Sequence, residues 1–252
     1  MFILCLTYLK FQIPIAMIPL EYEIDRLKDF FLEMVELVRD QLTLTKEAVL
    51  TGDSEAAAEV MRKEGRVNSY ELNIDRECED FLALQAPVAM DLRLVMAILK
   101  MSASVERIGD HAYRISSFVY EDELKLGKAL IEKTKMPDIF DDIDEMLVIV
   151  SEAFEKGDAK LAKQVFKKDK IISKINNKIP QIMQEYFKNS KEDIVQIILA
   201  SRIVGKLERA GDLITNIAEE IIFHIESKVV KHKKRNKRIK KKFNIQDPTD
   251  DN

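Results

Sequence analysis

Apolar positions recur at three- and four-residue intervals along most of the chain, the spacing of helices that bury one face. Breaker residues divide this pattern into six segments. The first is predicted from about Glu21 to Leu50 and stops at Thr51-Gly52-Asp53. The second starts at Ser54, the expected N-cap, and runs to Leu84, where Gln85-Ala86-Pro87 makes a turn. The third covers about Met90 to Tyr120, and a loop with Gly127 and Pro137 follows. The fourth spans about Ile139 to Glu155 and ends at Gly157-Asp158. The fifth is predicted over Ala159–Phe187, with a turn at Asn189-Ser190, and the sixth from Lys191 to about Val229.

The pattern occurs twice. TGDSEAAAEVMRKE (51–64) matches KGDAKLAKQVFKKD (156–169), with Gly52 and Gly157 105 residues apart. ASVERIGDHAYRI (103–115) matches VGKLERAGDLITNI (204–217), with Glu106 and Glu208 102 apart. The three-residue difference falls in the turn before the third helix, where the first copy carries Ala86-Pro87-Val88. A duplication of this kind predicts an all-α chain of two tandem antiparallel three-helix bundles. The expected units are residues 21–125 and 126–229, with an N-terminal arm (1–20) and a basic-then-acidic tail (230–252) outside them.

Composition agrees. With 46% hydrophobic and 33% charged residues, the chain is neither disordered nor membrane-embedded in type, and 7 glycines and 6 prolines suit long helices. Cys5 and Cys78 form neither a disulfide framework nor a CxxC site, so a reducing, cytoplasmic setting is expected. The net charge of −4 hides an asymmetry: Lys228–Lys242 holds ten bases and no acid, and three acids follow it. Setting those aside leaves 41 acids against 30 bases in residues 1–227, a net −11. An acidic body suits cation binding and argues against nucleic acid. The basic run reads either as a solvated tail or as an electrostatic contact with the anionic inner face of a membrane. In the first twenty residues Lys10, Gln12, Pro14 and Pro19 interrupt the apolar run, so neither a signal peptide nor a spanning helix is expected there, and Met17 is an alternative start.

Carboxylates carry the candidate chemistry. Glu71 and Asp75, Glu106 and Asp110, and Glu208 and Asp212 are pairs four residues apart, each on one helix face. Such pairs repel unless a multivalent cation lies between them, and hard cations take oxygen ligands. The second and third pairs sit at equivalent places in the two copies, each beside an arginine and a helix-interior glycine. Gly109 and Gly211 each cost about 1 kcal/mol against alanine, which implies close approach of another backbone. Arg107 and Arg209 read as salt-bridge partners rather than phosphate ligands, Asp91 as a first-turn acid, and His111, His224 and His232 as unpartnered, with His111 at the surface.

The run from Val67 through Glu71 and Asp75 to Cys78, then Gln85-Ala-Pro-Val-Ala-Met-Asp-Leu-Arg-Leu-Val-Met96, then Val105-Glu-Arg-Ile-Gly-Asp110, resembles the PhoU family of phosphate-transport regulators. The resemblance spans about Glu21 to Ser227, with Leu207–Asp212 and Asn216-Ile217 as the second copy. It implies metal clusters, of iron, zinc, magnesium or manganese, held by Glu71, Asp75, Glu106 and Asp110, and by Glu208 and Asp212 with help from Asn216. It implies a non-enzymatic adaptor that restrains a phosphate ABC transporter, through its ATPase, and a phosphate-sensing histidine kinase. A homodimer is the expected assembly. Asn176 and Pro180 stand where the second copy should repeat Glu71 and Asp75, so a full site in the first copy and a weak or empty one in the second are expected. Two rival classes stay open on the residues alone. One is a metal-free scaffold; the other is a di-metal enzyme, against which no Glu-x-x-His set occurs on these helices.

Overall fold

A computed structural model of the chain describes residues 20–121, 123–189 and 194–227. The N-terminal arm, with Cys5 and Met17, and the basic tail, with His232, lie outside the described residues. Among those described there are nine helices: α1 (Leu20–Thr51), α2 (Ser54–Gln85), α3 (Ala89–Tyr120), α4 (Lys128–Thr134), α5 (Met136–Lys156), α6 (Ala159–Ala162), α7 (Val165–Asn176), α8 (Ile179–Asn189) and α9 (Ile194–Glu226). The first three pack as one bundle; α5, the α6–α8 series and α9 form the second.

Equivalent turns are built from equivalent residues. Gly52 (φ +74°) and Gly157 (φ +63°) end their helices in the left-handed region, which only glycine enters without strain. The next residue caps the next helix. Asp53 accepts from the amides of Glu55 at 2.8 Å and Ala56 at 3.2 Å, and Asp158 from those of Lys160 and Leu161 at 2.8 and 3.1 Å. The N-cap is therefore Asp53 and not Ser54, because its carboxylate satisfies two free amides and suits the positive end of the helix dipole.

The bundles meet through α3 against α9 and α1 against α5. At the second contact Phe31 and Phe154 pack edge to face at 5.0 Å, and Arg39 donates to Asp144 at 2.8 Å. At the first, the Lys100 ammonium lies 3.5 Å from the buried Glu220 carboxylate, and the Arg202 guanidinium lies 4.8 Å above the Phe118 ring. Lys100 and Arg202 are 102 residues apart, as are Phe118 and Glu220. These are one contact made twice, about a pseudo-two-fold axis between antiparallel α3 and α9.

The second copy departs from expectation. Its long middle helix is three pieces, α6, α7 and α8. The break at Asn177-Lys178 places Pro180 in the first turn of α8, where its missing N–H does no harm. Nothing in the structure explains the earlier break at Lys163-Gln164. The stretch before the fourth predicted helix, read as loop, contains α4, and Lys135 (φ +53°) separates it from α5.

The two interior glycines also differ from expectation, because side chains and not backbone approach them. A Cβ on Gly109 would lie 3.0 Å from Gln41 Oε1 and 3.3 Å from Val67 Cγ1. On Gly211 it would meet Ile172 Cδ1 at an ordinary 3.5 Å. Gly109→Ala is thus expected to overpack and lower stability by about 1 kcal/mol. Gly211→Ala is expected to raise stability by up to about 1 kcal/mol through helix propensity. Thermal unfolding of the two variants reads the difference, and equal Tm values would show that the Gln41 contact relaxes freely.

Candidate metal centre

The first bundle draws acids together on two helices. Glu64 on α2 and Glu106 and Asp110 on α3 each place a carboxylate oxygen within 4.8 Å of the others. Glu64 belongs to none of the four-residue pairs. Its signal lay elsewhere: it ends the repeated segment 51–64, opposite Asp169 in the second copy.

Gln41, fully buried on α1, holds Glu64 in place. Its Nε2 donates to Glu64 Oε2 at 3.1 Å and to the Val60 carbonyl at 3.4 Å. The amide has room there because Gly109 carries no Cβ. The other Glu64 oxygen, Oε1, is buried without a hydrogen-bond donor. Buried carboxylate oxygens of this kind cost free energy unless a cation or proton meets them. A cluster of carboxylate oxygens with one left unsatisfied fits a hard cation.

Burial and repulsion from neighbouring acids raise Glu106, Glu64, Glu71 and Asp75. Glu106 is pushed up to about 7, first by burial and then by Asp110, Glu71 and Glu64. Glu64 is raised by burial, opposed by the Gln41 donation and reinforced by Asp110. Glu71 is raised by burial, then by Asp75 and Asp110, so it stands as a fourth acid within reach of α3. Asp75 is raised by burial and by Glu79, a neighbour on its own helix. The structure therefore brings Glu71 toward the α3 pair, places Glu64 closest, and leaves Asp75 a turn away.

In the second copy Glu208 is raised by burial, then by Asp212 and Asp169, and Asp212 is raised by burial. The Asp169 carboxylate lies 3.9 Å from the Cβ position of Gly211, against the same turn of α9. So α7 supplies an acid at Asp169, although Asn176 and Pro180 replace the counterparts of Glu71 and Asp75. Asn216 is exposed, one turn beyond Asp212.

Two side-chain readings change. Arg107 and Arg209 make no close ion pair among the described residues, although each charge favours the ionised form of the glutamate before it. His111 is half-buried rather than at the surface, and it is pushed down to about 4 by burial and then by Lys206 and Arg209. Cys78 is fully buried, its thiol raised to about 12 by burial and Asp75, as suits an inert core residue.

Fold and site together define a duplicated helical-bundle protein whose two third helices each present a Glu-x-x-x-Asp pair to an acid on the neighbouring helix. The PhoU domain family matches the chain twice, over residues 31–119 and 136–221. The chain belongs to the PhoU family. It is 30% identical over 210 residues to the phosphate-specific transport system accessory protein PhoU of Serratia marcescens, covering 83% of this chain and 86% of that one. It is 28% identical, over the same shares, to the protein of that name from Escherichia coli K12. The crystal structure of PhoU from Pseudomonas aeruginosa superposes with a TM-score of 0.77 at 28% identity, covering 82% of this chain and 99% of that one. The phosphate transport system regulatory protein PhoU from Streptococcus pneumoniae gives 0.75 at 26%, covering 84% and 99%. These relatives are named as accessory and regulatory proteins, and the family is not one of enzymes. No described helix is long and apolar enough to cross a membrane.

The titration of Glu106 yields a test. Folded, it holds a proton to about pH 7; unfolded, it releases it near its ordinary 4.5. The folded chain binds more protons between those values, so without a cation stability falls as pH rises through that window. At pH 8 in chelator, Glu106→Gln is expected to raise Tm by about 2–4 °C, or about 1 kcal/mol after allowance for solvent screening. A lower Tm would mean that the carboxylate stabilises the metal-free fold.

Proposed function

We propose that this chain is a metal-binding regulatory adaptor of phosphate uptake, and that its carboxylate triads are the metal sites. The convergence of Glu64, Glu106 and Asp110 oxygens within 4.8 Å carries the metal reading. The names of the relatives support the role in phosphate transport. Glu64, Glu106 and Asp110 would hold the ion in the first copy, with Glu71 as a fourth acid. Asp169, Glu208 and Asp212 would hold a weaker one in the second, where Asn176 replaces Glu71. A bound iron, zinc, magnesium or manganese ion would supply positive charge that offsets the crowded carboxylates. The chain's own part is to set the bundle: Gln41 fixes Glu64, and the ion ties α2 to α3 through groups that otherwise repel.

The partners we assign are the ATPase of a phosphate ABC transporter and a phosphate-sensing histidine kinase, reached at the inner face of the membrane. The adaptor acts by restraint when phosphate is abundant. Its regulatory output depends on α2 and α3 staying clamped, so the acids matter though no chemistry occurs on them.

Two measurements test this. Elemental analysis of purified protein should find metal that a Glu64→Gln/Glu106→Gln/Asp110→Asn variant loses in large part. A wild-type chain free of metal under all loading conditions would leave the scaffold reading in its place. In cells grown with ample phosphate, deletion should raise phosphate uptake, and the same triple variant should fail to restore control. Unchanged uptake in the deletion strain would overturn the regulatory assignment even if metal is bound.

A further inference from the structure

The axis between the two bundles carries a second charge pattern, of opposite sign. Arg107, His111 and Arg114 on α3 follow one another at four- and three-residue steps, and so do Arg202, Lys206 and Arg209 on α9. That spacing keeps each set on one helix face. The two faces adjoin. Lys206 lies within electrostatic reach of Arg114, Arg209 and Arg202, and His111 within reach of Lys206, Arg209 and Arg107; Asp110 is the acid that opposes both. The four arginines are exposed, and Lys206 and His111 are half-buried.

Like charges gathered in this way are unusual in a body with 41 acids against 30 bases. Elsewhere in the fold Arg26, Arg39, Arg62 and Lys168 are paired with carboxylates. Here, among the described residues, Arg107, Arg114, Arg202, Lys206 and Arg209 form no ion pair; Arg114 lies over Tyr113 and Arg202 over Phe118 instead. Unpaired guanidinium groups keep their planar donor forks free for an incoming carboxylate or phosphoryl group.

The shape of the patch selects among polyanions. Arg202 lies level with Phe118, so the stripe runs from Arg107 to that level, about 16 Å along the helix axes. That is several times the width of one small oxyanion. It is also narrow, because Glu106 and Asp110 flank it on α3 and Glu208 and Asp212 on α9. A membrane plane or a nucleic-acid duplex would meet those acids as well as the bases. A single acidic strand or helix would meet chiefly the bases, with Asp110 the nearest acid.

We propose that the groove between α3 and α9 is a docking track for an acidic segment of a partner protein. Both repeats contribute half of it, so it exists only in the duplicated chain. The track depends on the placement of basic side chains and not on metal in the carboxylate triads.

The test uses the full chain and a fluorescein-labelled ten-residue polyglutamate peptide, read by anisotropy at low and moderate salt. Arg114→Gln/Arg202→Gln/Lys206→Gln should weaken binding about tenfold, the worth of three exposed ion pairs near the middle of their range. A charge-matched tail variant, Lys237→Gln/Arg238→Gln/Lys240→Gln, should retain most of it. Circular dichroism and Tm establish that the groove variant is folded; single Arg114→Gln and Arg202→Gln chains, each with a partial loss, serve if it is not. Equal losses in groove and tail variants, or a loss in the tail variant alone, would overturn the proposal. So would tighter groove-dependent binding of a ten-residue oligothymidylate or of phosphatidylserine vesicles than of the peptide, since the partner would then be a nucleic acid or a membrane.

Discussion

The constraint on which the first bundle turns is the space beside Gly109. A β-carbon there would press on the Gln41 amide. Without one, Gln41 sits buried at the centre of the bundle and holds Glu64 toward the acids of α3. Three helices are thus locked by one polar chain, from α1 through Gln41 to α2 through Glu64 to α3 through Glu106 and Asp110. The last link is repulsive on its own. Burial and like charge push Glu106 up to about 7, so near neutral pH the metal-free site is a compromise between protonation and strain. On the proposed metal reading, a cation would turn that link from a liability into a clamp.

Duplication reproduced this design in part. The second copy keeps the turn, the cap, the Glu-x-x-x-Asp pair and an acid, Asp169, in the place of Glu64. It lacks the crowding: the Gly211 Cβ position meets Ile172 at an ordinary distance, and Asn176 replaces Glu71. Its middle helix is also broken on either side of α7. One copy is tight and acid-rich; the other is looser, with fewer acids. On the proposed metal reading, sites so different would not share one affinity for an ion.

Much of this was legible in the chain. The three helices of the first bundle and the last helix came within a few residues of their observed ends, because glycine-aspartate stops and a clear apolar stripe mark them. The Asn177-Lys178 break was announced by Pro180, whereas the Lys163-Gln164 break left no breaker to read, and α4 is a seven-residue helix set between Gly127 and Pro137, breakers that read as loop. In the site, the α3 and α9 pairs were visible as one-helix spacings. Glu64 was not, because it joins them from another helix, and periodicity within a helix says nothing about register between helices. The repeat alignment held that information, since it ends on Glu64 and Asp169. Arg107 and Arg209 are a related case: each adjoins a glutamate in sequence, but the two side chains leave the helix about 100° apart.

That last point explains how one short motif serves two purposes. In Glu-Arg-x-Gly-Asp, the glutamate and aspartate share a face and the arginine is turned about 100° from the glutamate. On α3 and α9 the acids therefore face the neighbouring helix of their own bundle, and the arginine faces the axis shared with the other bundle. Duplication places two such arginines across the axis, and the flanking bases extend them into a stripe. An acidic fold acquires a basic track at its centre without any change in overall charge. Because Glu106 and Arg107 are adjacent in the chain, as are Glu208 and Arg209, a shift of either third helix that tightens the acid cluster must also move the track. The acids and the bases are thus carried by the same two helices, of 32 and 33 residues.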